Sequence, residues 1–207
     1  MKIEQVAVEG AVLTVYLRQP AEAMPLAATR PLVLVVPGGG YEHVSAREAD
    51  PVAVRFLAAG YHAAVLPLPG QTSWAGRQRP NALILSYPVV TAGPYAHRGS
   101  FEALSGAHDP AAHLAFGLED KIGPDTPPVF LWHTMDDETV PVENSLLLLG
   151  ALQKAGAPCE AHLFPHGVHG LSVCTAEVNT PQPHAGRWFA LAAEWLADVF
   201  DWKLGIA

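Results

Sequence analysis

The shortness of one connection constrains this chain more than any other feature. Two continuous apolar runs, YHAAVLPL (Tyr61–Leu68) and NALILSYP (Asn81–Pro88), read as buried strands of a parallel sheet. Parallel neighbours need a crossover of about a dozen residues or more, and usually a helix within it. The linker Pro69–Pro80, PGQTSWAGRQRP, shows no helical pattern. The linker therefore raises the question of what element belongs between the two runs.

Elsewhere strands and helices alternate. Val6–Leu17 reads as a hairpin turned at Glu9-Gly10, followed by a loop from Pro20 to Arg30. PLVLVVPGGG predicts a strand, Leu32–Val36, buried on both faces and followed by a special turn. Ser45–Gly60 is helical in pattern, with Ser45 and Glu48 in capping-box spacing and Pro51 placed so that Asp50 caps a second start. Gly60 stops the helix and YHAAVLPL comes next, which completes a right-handed βαβ unit. The grammar returns with PPVFLWHT as a strand, Pro141–Ala155 as a Leu-rich helix closed by Gly156, PCEAHLFP as a strand and Gly186–Phe200 as an amphipathic closing helix. Thr91–Thr126, rich in Gly, His and Pro, reads as an irregular lid or surface insertion. The expected fold is α/β, a mostly parallel sheet flanked by helices in one domain spanning 1–207.

A chain of 207 residues that is half apolar and 15% charged has enough material for one real core. Its net charge of -8, with no run of Lys or Arg, argues against nucleic acid as a partner. No stretch approaches the roughly 20 apolar residues of a membrane span, so no membrane partner is expected. The amino-terminal MKIEQVAVEGAVLTVYLRQP alternates as a strand does and holds no continuous apolar leader. Cys159 and Cys174 are too few for a disulfide framework, and two reduced thiols predict a cytoplasmic setting.

In an open parallel sheet, ligands gather at the carboxyl ends of the strands. PGGGY succeeds one strand, TMDDETVP a second and HGVHGLS a third, so the three loops are expected on one rim. A glycine loop, an acid and a histidine are the supports of a serine hydrolase: N–H groups for an oxyanion, an imidazole base and a carboxylate that holds its tautomer. The order acid then histidine agrees with the hydrolase order nucleophile, acid, histidine.

PLVLVVPGGGYEHVSAREADPVAVRFLAAGYHAAVL, NALILSYPVV and above all TPPVFLWHTMDDETVPVENSLLLLGALQKAGAPCEAHLFPHGVHGLS resemble the bacterial α/β-hydrolase esterases, the acetyl-xylan or carbohydrate esterases and lipase-like enzymes. The resemblance covers most of the chain. It implies Asp137, four residues before Pro141, as triad acid, His169 in GVHG as triad base, and Gly39 and Gly40 as donors of oxyanion N–H groups. It also implies small acyl esters as substrates, acetylated carbohydrates among them, cleaved through an acyl-serine intermediate with no cofactor. Relatives carry the serine in a GxSxG elbow between the strands matching YHAAVLPL and NALILSYP, and that elbow is absent here. A helix, a strand, an elbow and a second helix come to roughly 50 residues with their loops, against about a dozen in this linker. TSWAGRQRP resembles the segment just after the elbow helix in relatives, so the chain looks like the family with an internal block removed. The elbow strand lies centrally in this fold, so the strands of PLVLVVP and NALILSYP must pair directly or the sheet must split. Two readings result: an ester hydrolase, or a catalytically inactive pseudoenzyme or binding remnant. A strand swapped in from a second copy is a further way to fill the gap, so an oligomer stays open.

Rivals exist for each role. Asp136 competes with Asp137, whose spacing to Pro141 in the family pattern favours it. His162 and His166 compete with His169; alternation in CEAHLFP leaves His162 on a strand face, whereas GVHG places His169 in the loop beyond. The spacing HxxxHxxH suggests zinc, but it departs from the helical HExxH pattern and runs from strand to loop, so no metal is expected. Ser73 in the linker and Ser86 near the end of its strand are candidate substitute nucleophiles, though neither has the glycines that relieve a nucleophile turn. Ser45 reads as a cap, Ser145 as a helix residue, Ser100 and Ser105 as loop, Ser172 as too close in sequence to His169 for an assigned role, and Cys174 as a quiet thiol.

Overall fold

The computed structural model describes residues 1–8, 10–20, 22, 29–67 and 79–202. The chain divides into two compact units, one formed by residues 1–72 and 189–207, the other by residues 73–188.

In the first unit, β1 (Lys2–Val8) and β2 (Ala11–Leu17) pair antiparallel with Val8 opposite Ala11, so the hairpin begins four residues earlier than its alternation suggested. Gly10 at φ 74° supplies the left-handed residue of the two-residue turn; Glu9 lies outside the described residues, as does most of Pro20–Arg30. β3 (Leu32–Val35) and β4 (His62–Val65) run parallel, joined by α1 (Asp50–Ala58), in the order β1-β2-β4-β3. The expected capping box does not form: Ser45 makes no side-chain cap, Ala46–Glu48 is a 3-10 turn, and α1 starts after Ala49. Nor does Asp50 cap, because its Oδ1 accepts the Tyr16 hydroxyl at 2.7 Å and so ties the helix start to β2. Val52, Ala53 and Leu57 pack on Val33, Val35, Ala63 and Val65. Tyr61 packs edge-on to Phe56 and donates its hydroxyl to the Ala193 carbonyl of α5 (Trp188–Val199).

The two-faced burial expected of β3 is corrected. Leu32, Leu34 and Val36 are 53, 46 and 53% exposed, all on one face, while Val35 on the other is buried. β3 is the edge of its sheet and α1 covers only one side of it. β4, flanked by two strands, is buried on both faces.

In the second unit, β5 (Leu83–Ser86), β6 (Val129–Thr134) and β7 (Cys159–Phe164) form a wholly parallel sheet in that order. Every residue of the central β6 is buried. α4 (Glu143–Ala155) crosses from β6 to β7, ends at Gly156 with φ 69°, and packs Leu148 and Leu152 on Val129 and Leu131. β3 and β5 therefore edge separate sheets, and among the described residues no strand joins them: the sheet is split where the elbow strand was missing. Most of the linker, including Ser73, lies outside the described residues.

Thr91–Thr126 is irregular only in part. α2 (Arg98–Ser105) is capped by His97, whose Nδ1 accepts the Ser100 N–H, and closed by left-handed Gly106; α3 (Pro110–His113) is capped by Asp109. Part of the Gly, His and Pro content that suggested loop, namely His97, Gly106 and Pro110, belongs to the ends of two short helices. The closing helix likewise starts later than expected, at Trp188, behind a 3-10 turn over Ala185–Arg187. Among the described residues no helix is long and apolar enough to cross a membrane.

Candidate active site

β6 and β7 are adjacent and parallel, so the loops leaving their carboxyl ends meet. The first carries Asp136 and Asp137, the second His166 and His169. The Asp137 side chain is wholly buried. Its Oδ1 accepts the backbone N–H groups of Thr139 and Val140, both at 2.9 Å. Its Oδ2 accepts Nδ1–H of His169 at 2.8 Å and Nε2–H of His133 at 3.2 Å. Burial alone would raise this carboxyl, but the hydrogen bonds from His133, His169 and the Val140 N–H outweigh it and hold the group well below the usual carboxylate range.

With Nδ1 committed to Asp137, Nε2 is the nitrogen of His169 left to take a proton. The imidazole is 28% exposed, and its ring meets Tyr87 edge-on at 4.9 Å. Tyr87 in turn stands edge-on to Trp132, which stacks flat on Trp188. The His169 loop is pinned at both ends. Gly167 donates its N–H to Asp136 and accepts the Thr134 hydroxyl; Ser172 donates its N–H to the Tyr87 hydroxyl and accepts the Trp188 indole N–H.

The two neighbouring aspartates are sorted between the two loop histidines. Asp136 takes His166 at 3.0 Å in solvent, and Asp137 takes His169 out of it. The His166 hydrogen bond, helped by the Gly167 N–H, lowers the Asp136 carboxyl. His162 is apart from the cluster, bonded to Glu160 at 2.8 Å and set against the Phe130 ring. Among the described residues no group of three or more His, Cys, Asp or Glu is arranged to hold a metal ion.

No serine among the described residues hydrogen-bonds to Nε2 of His169. Ser86 accepts the Trp132 indole N–H at 2.7 Å, Ser100 pairs with His97, and Ser105 turns back on Ala107. Burial pushes the Cys174 thiol up to about 11. Gly39 and Gly40 belong to the amino-terminal unit, in a tight turn where the Gly39 carbonyl accepts the N–H groups of Glu42 and His43. A Cβ on Gly39 would lie 2.0 Å from the His43 carbonyl oxygen, so only glycine fits there.

Sequence reasoning missed His133 and Ser145. His133 is fully buried near the end of β6, with Nδ1 2.7 Å from the Ser145 hydroxyl in the first turn of α4. The available signal was a histidine inside an otherwise apolar strand, four residues before the acid.

The family model described as the prolyl oligopeptidase family matches residues 98–202, half of the chain and all of this cluster. The chain belongs to the prolyl oligopeptidase family. Endo-1,4-beta-xylanase B of Butyrivibrio fibrisolvens is 45% identical over 100 residues, 48% of this chain and 16% of that protein. The acetylxylan esterase of Xylanibacter ruminicola is 28% identical over 134 residues, 62% of this chain and 25% of that protein. The chain thus spans a quarter or less of the length of these two relatives. Among solved structures, MGS-M1, an α/β hydrolase enzyme from a Medee basin deep-sea metagenome library, matches with a TM-score of 0.77 at 28% identity, covering 97% of this chain and 98% of that one. The α/β-hydrolase fold read from the sequence is the fold of this prolyl oligopeptidase family chain, with its sheet split.

Proposed function

We propose that this chain is a carboxylic ester hydrolase of the serine-hydrolase type acting on small acyl esters, acetylated carbohydrates among them. The observation that carries the reading is the buried Asp137 carboxylate fixed 2.8 Å from Nδ1 of a partly exposed His169. A carboxylate so held stabilises the Nδ1–H tautomer and the imidazolium that forms when Nε2 takes a proton. Asp137 is the acid and His169 the base in this reading. Gly39 and Gly40 are the oxyanion donors; among the described residues neither N–H is engaged in a hydrogen bond. The acetylxylan esterase among the relatives supports the acetyl-carbohydrate class. The free thiols Cys159 and Cys174 support a cytoplasmic setting.

A second reading, a catalytically inactive binding remnant, is favoured by two observations: no GxSxG elbow stands in the sequence, and no described serine bonds to Nε2 of His169. Turnover of p-nitrophenyl acetate and of acetylated xylo-oligosaccharides by the wild type, His169→Ala and His166→Ala decides between them. The ester hydrolase reading expects activity that His169→Ala abolishes and His166→Ala largely keeps. Equal loss from both overturns the choice of base, and no activity in a folded wild type favours the remnant.

A further inference from the structure

The Asp137 carboxylate serves two imidazoles through one oxygen. We propose that His133, backed by Ser145, is a positioning residue that aims Oδ2 of Asp137 at His169; the inference rests on the reading of Asp137 and His169 as acid and base.

The geometry fixes the protons. Nε2 of His133 faces Oδ2 of Asp137 at 3.2 Å and the Val140 carbonyl at 3.0 Å, and neither can donate, so Nε2 carries hydrogen. In the neutral ring Nδ1 then accepts the Ser145 hydroxyl at 2.7 Å. Both side chains are essentially without solvent exposure, so a broken link would leave a buried polar atom without a partner. The chain of contacts runs from α4 through β6 to the acid loop and ends on His169 in the loop after β7.

Apart from His133 and from His169 itself, the hydrogen bonds to Asp137 among the described residues fall on Oδ1, from the N–H groups of Thr139 and Val140. Those two bonds fix one oxygen and leave the carboxylate plane able to rock about it. His133 removes that freedom. The other ionisable groups near this pair are Asp136 and Glu138 on the same loop, His166 on the next, and Tyr87 after β5, whose ring stands edge-on to both His133 and His169; Asp136 and His166 are occupied with each other.

The test reads His169 itself, without turnover, so it can fail independently of the ester hydrolase reading. Ring 15N shifts of His169 report which nitrogen carries hydrogen in the neutral state. The wild type is expected to hold Nδ1–H. His133→Phe, which keeps the ring volume and removes the donor, is expected to move the Nδ1–H to Nε2–H ratio about fivefold toward Nε2–H, the size of one lost buried hydrogen bond. His133→Gln, which can still place an N–H near Oδ2, is expected to restore the wild-type ratio. Ser145→Ala supplies the milder perturbation if His133→Phe does not fold, and should shift the ratio in the same direction. Wild-type tautomers in a folded His133→Phe protein, or in Ser145→Ala where the Phe variant does not fold, would overturn the proposal and leave the backbone donors as sufficient.

Discussion

Oδ2 of Asp137 lies 2.8 Å from Nδ1 of His169, with the carboxylate buried and the imidazole partly in solvent. Asp136, one residue earlier, holds His166 at 3.0 Å in the open. Two pairs of the same chemistry thus differ in burial and in the donors that surround the carboxylate, and burial raises the weight of the Asp137 pair.

Acid should separate the wild type from Asp137→Asn in a defined direction. The folded Asp137 carboxyl lies below its ordinary value of 3.8, so its contribution is fully present above that value and is lost as pH falls through the folded one. Melting temperatures from pH 7 down to pH 2 should show the wild type ahead of the variant at neutral pH and the gap closing below about pH 4. A gap that widens in acid contradicts the assignment. If the chain turns over ester, Asp137→Asn should also lower kcat by about 10⁴.

Two glycines should respond oppositely to alanine. A Cβ on Gly167 would meet Leu171 Cδ1 at 2.5 Å and Thr134 Cγ2 at 2.8 Å, beneath the His169 loop. Gly167→Ala is expected to destabilise by about 1–3 kcal/mol. A Cβ on Gly150, exposed within α4, meets nothing within 4 Å, and Gly150→Ala is expected to stabilise by about 0.5–1 kcal/mol. Thermal denaturation of the two variants checks both signs.

The exposed face of β3 should bind hydrophobic dye. Leu32, Leu34 and Val36 form an apolar row on an edge strand, the kind of surface that solvatochromic dyes and other chains find. The wild type is expected to bind 8-anilinonaphthalene-1-sulfonate, and Leu32→Thr with Leu34→Thr to bind less with little change in melting temperature. A wild type that binds no dye contradicts the account.

Much of this was legible in the sequence because loops at strand ends carry their own signatures. DETVP and GVHG carried the resemblance that implied Asp137 and His169, and the structure brings those two loops together on adjacent parallel strands. The split between β3 and β5 was foreshadowed by a linker too short for the missing strand. Burial of polar side chains was not legible. His133 sits in a run that reads as apolar, and Ser145 in a helix where a serine is ordinarily solvated, yet both are buried against each other. Neither was α2, whose cap is a histidine, a residue outside the usual Ser, Thr, Asp and Asn signature. β3 misled in the opposite sense: a continuous apolar run records what a strand is suited to touch, and here the second face has no partner among the described residues.

The most direct test is to treat the folded protein with a fluorophosphonate probe and read its intact mass, beside the same treatment of His169→Ala. The ester hydrolase account predicts one added label, on a single serine, that the His169→Ala protein does not acquire. A folded wild type that takes no label, or a label that persists unchanged in His169→Ala, would contradict it.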